Sequence, residues 1–188
     1  LKQRGGRDRV VLASKVGFAY PGISYGTSAR QIQEECEKTL RRLQTDYLDL
    51  YYLHTDDRDT PLEETLSAMD ALVRAGKVRA VGASNFSAWR LERARNLCQA
   101  NHWAPICCIQ QRYSYLRPKP DSVFPGQKYV TEDLREYVKD TGITVLAYCP
   151  LLKGAYVNPE KSFLEQYVGA DAQARLAALD QVSRESGY

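Results

Sequence analysis

Six side chains able to handle a polarised oxygen each stand at the end of a short apolar run: Lys15, His54, Ser84, Asn85, Gln110 and Tyr148. Their types suit work on a carbonyl group beside a nicotinamide ring. A cation and an imidazole N–H polarise an oxygen, amides grip a carboxamide, and a phenol ring stacks on a flat heterocycle. Taken singly, each has an ordinary explanation. A lone histidine at a strand end is usually a structural hydrogen-bonder, a lysine a solvated charge, Asn85 a cap for the following helix and Tyr148 a core aromatic. The repetition of such residues at equivalent points carries the functional reading. Gln110 is preferred to Gln111, although a slip of one residue in the strand would exchange their faces.

The elements that must position these residues are legible from hydrophobic periodicity. Val10 to Ala13 predicts a first strand leading to Ser14-Lys15, and Leu48 to Leu53 a buried strand that stops at His54. Val78 to Ala83 ends in Ser84-Asn85, Pro105 to Gln111 ends in its glutamines, and Ile143 to Ala147 ends at Tyr148. Helices fall between them. Ser28 caps one, with Gln31 as the reciprocal capping-box partner and Ile32, Cys36, Leu40 and Leu43 on one side. Thr60, Pro61 and Glu63 form a second start signal, before an apolar face of Leu62, Leu66, Met69, Leu72 and Val73. Ser87 opens a third helix, with Leu91, Ala94, Leu97 and Cys98 inward. Thr131 opens a fourth, with Leu134, Tyr137 and Val138 inward and Gly142 as its stop. Asp171 begins a fifth, with Leu176, Leu179 and Val182 inward. Leu1 to Arg9 is an exposed basic lead-in, Arg112 to Val130 a long loop of the functional or mobile kind, and Leu151 to Val168 irregular. His102 and Trp103 are structural. Five strands alternating with five helices predict a parallel sheet with right-handed crossovers, and if it curves into part of a barrel the polar strand exits share one rim.

Composition narrows the rest. The 188 residues form a single domain over 1–188 with an ordinary hydrophobic content of 44%. A net charge of +3, with both signs interspersed, requires neither a nucleic-acid partner nor an anionic membrane. The five cysteines, Cys36, Cys98, Cys107, Cys108 and Cys149, contain no CxxC pair. They are expected to be reduced thiols of a cytoplasmic protein without a metal, and Cys107 and Cys108 to face opposite sides of their strand. No apolar stretch has the length of a membrane span. The first residue is not methionine, which suggests a fragment or a processed product.

The strings LASKVG, DYLDLYYLH, GKVRAVGASNFS, CIQQRYS and VLAYCPLLKG resemble, in order and spacing, those of the aldo-keto reductases, over nearly all of residues 9 to 187. That resemblance implies a (β/α)8 TIM barrel, here partial with about five units, and NADPH-dependent reduction of an aldehyde or ketone. By the family pattern Lys15 lowers the pKa of a catalytic tyrosine and His54 orients the substrate carbonyl. Ser84, Asn85 and Gln110 would hold the nicotinamide carboxamide and Tyr148 would stack on its ring. Cys149, where the family often has serine, would lie with Leu151 and Gly154 along the pyrophosphate of NADP(H). Tyr20, Trp89 and Tyr115 are candidates for lining a substrate pocket. The family's first two strand-helix units, which supply the tyrosine and an aspartate paired to the lysine, and its last unit are missing from these residues. The segment by itself is therefore expected to be inactive, with exposed sheet edges that could pair with another copy. The alternative is a non-catalytic binding or regulatory relative, of the kind found among potassium-channel β subunits.

Overall fold

A computed structural model describes residues 5–158 and 160–187. The elements run β1 (Ala13–Val16), α1 (Ala29–Leu43), β2 (Leu48–Leu53), α2 (Leu62–Arg74), β3 (Val78–Ser84), α3 (Ala88–Asn101), β4 (Ile106–Arg112), α4 (Glu132–Thr141), β5 (Thr144–Tyr148) and α5 (Ala170–Ser186). The strands make one five-stranded sheet in the order β1-β2-β3-β4-β5, with parallel pairing between every pair of neighbours. Consecutive helices pack in sequence, α1 on α2, α2 on α3 and α3 on α4. A sheet wound always in the same direction, with its helices against one face, is part of a (β/α) barrel, as expected.

The main core lies between the sheet and this helical layer. Tyr51, Leu53, Val81, Ala83 and Ile109 of the sheet meet Ile32, Cys36, Leu66, Met69, Leu91 and Ala94 of the helices. A smaller cluster of Leu116, Phe124, Tyr167 and Ala172 lies where the β4–α4 loop meets the start of α5.

On the opposite face the register stacks side chains in rungs. Lys15 pairs with Tyr52, Tyr52 with Gly82, and Gly82 with Cys108. Two residues further along, Ser84 pairs with Gln110 and Gln110 with Leu146. The lower rung closes only because residue 82 has no side chain. A Cβ there would sit 2.6 Å from the Tyr52 ring and 3.0 Å from Cys108 Sγ.

Several local expectations give way to tertiary partners. β1 begins at Ala13 rather than Val10, and Val11 is 80% exposed. The reason is that Asp49 Oδ2 accepts the Leu12 N–H at 2.9 Å and Arg7 Nη1 at 2.7 Å, which holds the preceding segment outside the sheet. Arg7 is therefore not a free basic residue, while Leu1 to Arg4 of the expected lead-in lie outside the described residues. Its guanidinium and that of Arg79 flank the Tyr47 ring at 3.9 and 4.0 Å, and Arg79 binds the other oxygen of Asp49 at 2.9 Å.

Ser28 does cap α1, accepting the Gln31 N–H at 3.4 Å, but the Gln31 side chain turns away to Ser24 O. Thr60 does not cap α2. Its hydroxyl donates to Asp57 Oδ2 at 2.7 Å, and the helix opens after Pro61 without a side-chain cap. Cys107 is exposed and Cys108 buried, and the strand is irregular at this point. The register slips between Val81 and Gly82, leaving Cys107 as the extra residue of a bulge. The neighbouring Cys108 side chain holds the Cys107 thiol down at about 7. In α5, Leu176 packs against the smaller cluster, while Leu179 and Val182 face outward. The β4–α4 loop is tied down at its base, with Arg112 N–H donating to Lys128 O and Val130 N–H to Arg112 O. Among the described residues no helix is long and apolar enough to cross a membrane.

The tight fit at residue 82 sets the first test. Gly82→Ala should lower the unfolding free energy by about 1–3 kcal/mol in chemical denaturation, the usual effect of overpacking a filled site. An unchanged midpoint would mean that the Tyr52 ring has room to move.

Candidate functional site

Parallel strands bring their carboxyl ends to one side, and the residues there are joined by one amide. Asn85, just past β3, has a left-handed backbone with φ of 62°, a conformation asparagine tolerates better than most residues. Its Nδ2 donates to His54 O at 2.9 Å and to Ser84 Oγ at 3.1 Å. Its Oδ1 accepts the Tyr148 hydroxyl and the Lys128 N–H, each at 3.0 Å. These contacts use every donor and acceptor position of the amide. Its backbone N–H donates to Gln111 Oε1 at 2.8 Å. The exits of β2, β3, β4 and β5 are thus tied to a single residue. Asn85 does not cap α3, whose N-cap is Ser87.

Around this hub the expected residues fall into distinct situations. His54 follows β2 directly, with its ring 4.3 Å from that of Phe18. Burial, aided by the charge of Lys15, lowers its pKa from 6.5 to about 4. At neutral pH the imidazole is uncharged, with one N–H to donate and one nitrogen to accept. Lys15 lies within β1 rather than beyond it, a rung below His54, with Nζ 5.3 Å from the Tyr52 ring centroid. Ser84 is buried and donates to Gln110 O at 2.8 Å. Gln110 is half-buried on the same face, and its side chain has no hydrogen-bond partner among the described residues. Gln111 faces the other way, buried, with Nε2 donating to Phe86 O at 2.9 Å. The strand register therefore puts Gln110 on the Ser84 face, while Gln111 is engaged on the other and lines the cavity that reaches Asn85.

Tyr148 closes β5 with its ring 5.4 Å from the Arg112 guanidinium. Burial raises its pKa, and the Arg112 charge works against that rise. Cys149 (φ 54°) and Gly154 (φ 85°) bend the chain immediately beyond, and Leu151 is exposed there. The three aromatic candidates do not come together. Tyr20 donates to Glu35 of α1 at 2.9 Å. Trp89 stacks under Arg58 and lines a cavity of about 650 Å³ that reaches Asn85. Tyr115 donates to Arg175 O of α5.

Gln111, passed over for Gln110, joins the rim, together with two residues that sequence reasoning missed, Tyr52 and Arg112. Gln111 fixes the Asn85 backbone, Tyr52 forms the floor beneath Lys15, and Arg112 lies against Tyr148. Tyr52 was hidden in an apolar run that reads simply as core. Arg112, at the boundary between strand and loop, had only its position next to Gln111 to mark it.

A sequence model described as the Aldo/keto reductase family matches residues 1–182. Aldo-keto reductase YhdN of Bacillus subtilis (strain 168) is 39% identical over 158 residues, which cover 82% of this chain and 42% of that protein. Aldo-keto reductase str7 of Strobilurus tenacellus is 35% identical over 163 residues, 86% of this chain and 44% of its own length. The human aflatoxin B1 aldehyde reductase member 4 is 32% identical over 153 residues, 81% of this chain and 42% of its own length. The chain thus spans less than half the length of these relatives.

The environment of His54 gives a direct measurement. By NMR its imidazole should titrate near 4, and Lys15→Met should raise that value while leaving it below 6.5, because burial is the larger cause. Since the unfolded chain takes up a proton on His54 that the fold resists, stability should fall as pH drops from about 6.5 towards 4. Titration of both the parent chain and Lys15→Met at 6.5 would show the ring to be solvated and remote from the lysine.

Proposed function

The chain belongs to the aldo/keto reductase family, and on that premise we propose that the protein containing it reduces the carbonyl group of a small aldehyde or ketone to an alcohol with NADPH, in the cytoplasm. The observation that carries this reading is an uncharged His54 beside Lys15, on the same rim as the unpartnered amide of Gln110 and the ring of Tyr148. The donor set fits the nicotinamide half of the cofactor. Gln110 offers both an acceptor and donors to a carboxamide, with Ser84 beside it. Tyr148 offers a ring face, and its hydroxyl is already anchored by Asn85. A carboxamide bound at Asn85 itself would take the place of the Lys128 N–H or the Tyr148 hydroxyl there. Beyond Tyr148, Cys149, Leu151 and Gly154 would border the pyrophosphate. The bound cofactor supplies the hydride.

His54, neutral at working pH, would donate to the substrate oxygen and orient it without competing for a proton. Lys15 would act on a tyrosine that belongs to the family's earlier strands, lowering its pKa so that it protonates the nascent alkoxide. Tyr52, whose ring lies 5.3 Å from Lys15 Nζ, is unsuited to that role. It sits on the floor rung, 3.5 Å from Cys108 Sγ, and burial followed by the Cys108 contact pushes its pKa up rather than down. The 188 residues alone are therefore proposed to bind the nicotinamide end weakly and to turn over no substrate.

Oxidation of NADPH by aldehydes, followed at saturating cofactor, tests this in the longer protein. His54→Ala should reduce turnover by roughly a hundred- to ten-thousandfold, the scale of a positioned proton donor, and Lys15→Met should have a comparable effect. Cofactor binding should quench tryptophan fluorescence in all three proteins. Full activity in either variant, or turnover by the isolated segment, would overturn the assignment.

A further inference from the structure

Cys107 and Cys108 are consecutive residues of β4 in unlike surroundings, the first exposed and the second buried. Cys108 belongs to the floor rung. It pairs with Gly82, and its thiol donates to the Tyr52 hydroxyl at 3.5 Å. Cys107 has no partner on β3, because the pairing passes from Ile106 directly to Cys108. An extra residue of this kind bends the strand and re-aims its side chain. The side chains of the pair interact: each is the largest single influence on the other's ionisation, and both act on the Tyr52 phenol as well. Two sulfurs and a phenol thus meet at one point beneath Lys15, whose Nζ lies 5.3 Å from the Tyr52 ring centroid.

The interaction divides the pair into two chemical types. Cys107 is held down at about 7, so that near neutral pH about half of it is thiolate, the form that attacks electrophiles. Cys108 is pushed up, first by Cys107 and then by burial, and keeps its proton. Cys36 and Cys98 lie in the main core, where burial raises each to about 11. They are inert by comparison. An exposed, partly ionised sulfur with a protonated one on the next residue has the two parts that reversible thiol oxidation needs, a nucleophile and a group to resolve its product.

We propose that Cys107 and Cys108 together are a reversible oxidation site for hydroperoxides. The Cys107 sulfur attacks the terminal oxygen of the peroxide. A sulfur–oxygen bond forms, the O–O bond breaks, and the departing oxygen takes up a proton to leave as an alcohol or, from hydrogen peroxide, as water. The sulfur, now a sulfenic acid, has lost the two electrons that the peroxide gained. Cys108 then attacks that sulfur, giving up its proton. A disulfide forms as the S–O bond breaks, and the hydroxyl leaves with the proton as water. Neighbouring Cα atoms lie about 3.8 Å apart, closer than the roughly 4.4–6.8 Å usual for a disulfide, so the bond is strained and a small dithiol reopens it. The site goes beyond the reductase reading and stands or falls separately from it, since neither sulfur takes part in hydride transfer.

Peptide mapping by mass spectrometry, after hydrogen peroxide is added to the 188-residue chain at neutral pH, provides the test. The peptide holding both residues should lose the mass of two hydrogen atoms and regain it with dithiothreitol, while Cys36 and Cys98 stay unmodified. Cys108→Ser should stop at the sulfenic acid, captured by dimedone on Cys107. Cys107→Ser, a change at an exposed position, should slow oxidation of this segment by roughly tenfold or more, because the remaining thiol is protonated. The proposal is overturned if the segment stays reduced, if the disulfide joins two chains, or if Cys107→Ser oxidises as fast as the parent chain. Sulfinic acid on Cys107 of the parent chain without a disulfide would overturn it too, since Cys108 would then resolve nothing.

Discussion

The rim of this sheet depends on a saturated amide. Strands of a parallel sheet are held to each other along their length by backbone bonds, but their ends are loose unless something ties them. Here Asn85 does so, through contacts to His54 O, Ser84 Oγ, Lys128 N and the Tyr148 hydroxyl. Each such bond adds about 1 kcal/mol net, but leaving several buried partners unpaired would cost more than their sum suggests. The left-handed backbone at this position is a necessary part of the arrangement, since it turns the chain so that the side chain points along the rim. Gln111 completes the tie from below by accepting the Asn85 N–H. The backbone of His54 and the hydroxyl of Tyr148 are consequently held in place by the fold itself, which is what preorganisation of a rim means.

Much of this was legible in the amino-acid order, and the reasons are physical. β2 is buried on both faces over Tyr51 to Leu53, so its largely apolar run, broken only by Asp49, has sharp ends, and its boundaries match the sequence reading at Leu48 and Leu53. The strand exits could be placed because an apolar run followed by a polar residue is a strong local signal. What could not be read were the choices between rival partners. Thr60 and Gln31 have the right side chains for capping, yet Asp57 and the Ser24 carbonyl lie close enough to claim them. β1 was misplaced by three residues because Val10 and Val11 favour strand conformation, while the Arg7–Asp49 contact, made across the chain, keeps them out of the sheet. The bulge at Cys107 depends on how β4 meets β3, information that neither strand carries alone.

Arg112 shows the limit of reading by residue type. An arginine at the start of a long loop is ordinarily solvated, and only the fold shows Phe124, Tyr148 and Gln127 enclosing it. The loop that looked mobile in sequence is the lid over this residue. It is held by backbone bonds on both sides of Arg112 and by its own aromatic cluster. Irregular conformation and looseness are separate properties, and here burial rather than regular bonding supplies the order.

The clamp formed by Arg7, Tyr47, Asp49 and Arg79 lies at the opposite end of the strands from the Asn85 tie. One end of the sheet is thus fastened by ionic contacts and the other by neutral hydrogen bonds. Dissolved ions screen charges beyond about 8–10 Å at physiological strength and leave neutral amide contacts nearly untouched. At 2.7 and 2.9 Å the ion pairs of the clamp lie well inside that length and Asp49 is largely shielded, so added salt loosens the strand starts only slightly and leaves the Asn85 tie at their other end unchanged.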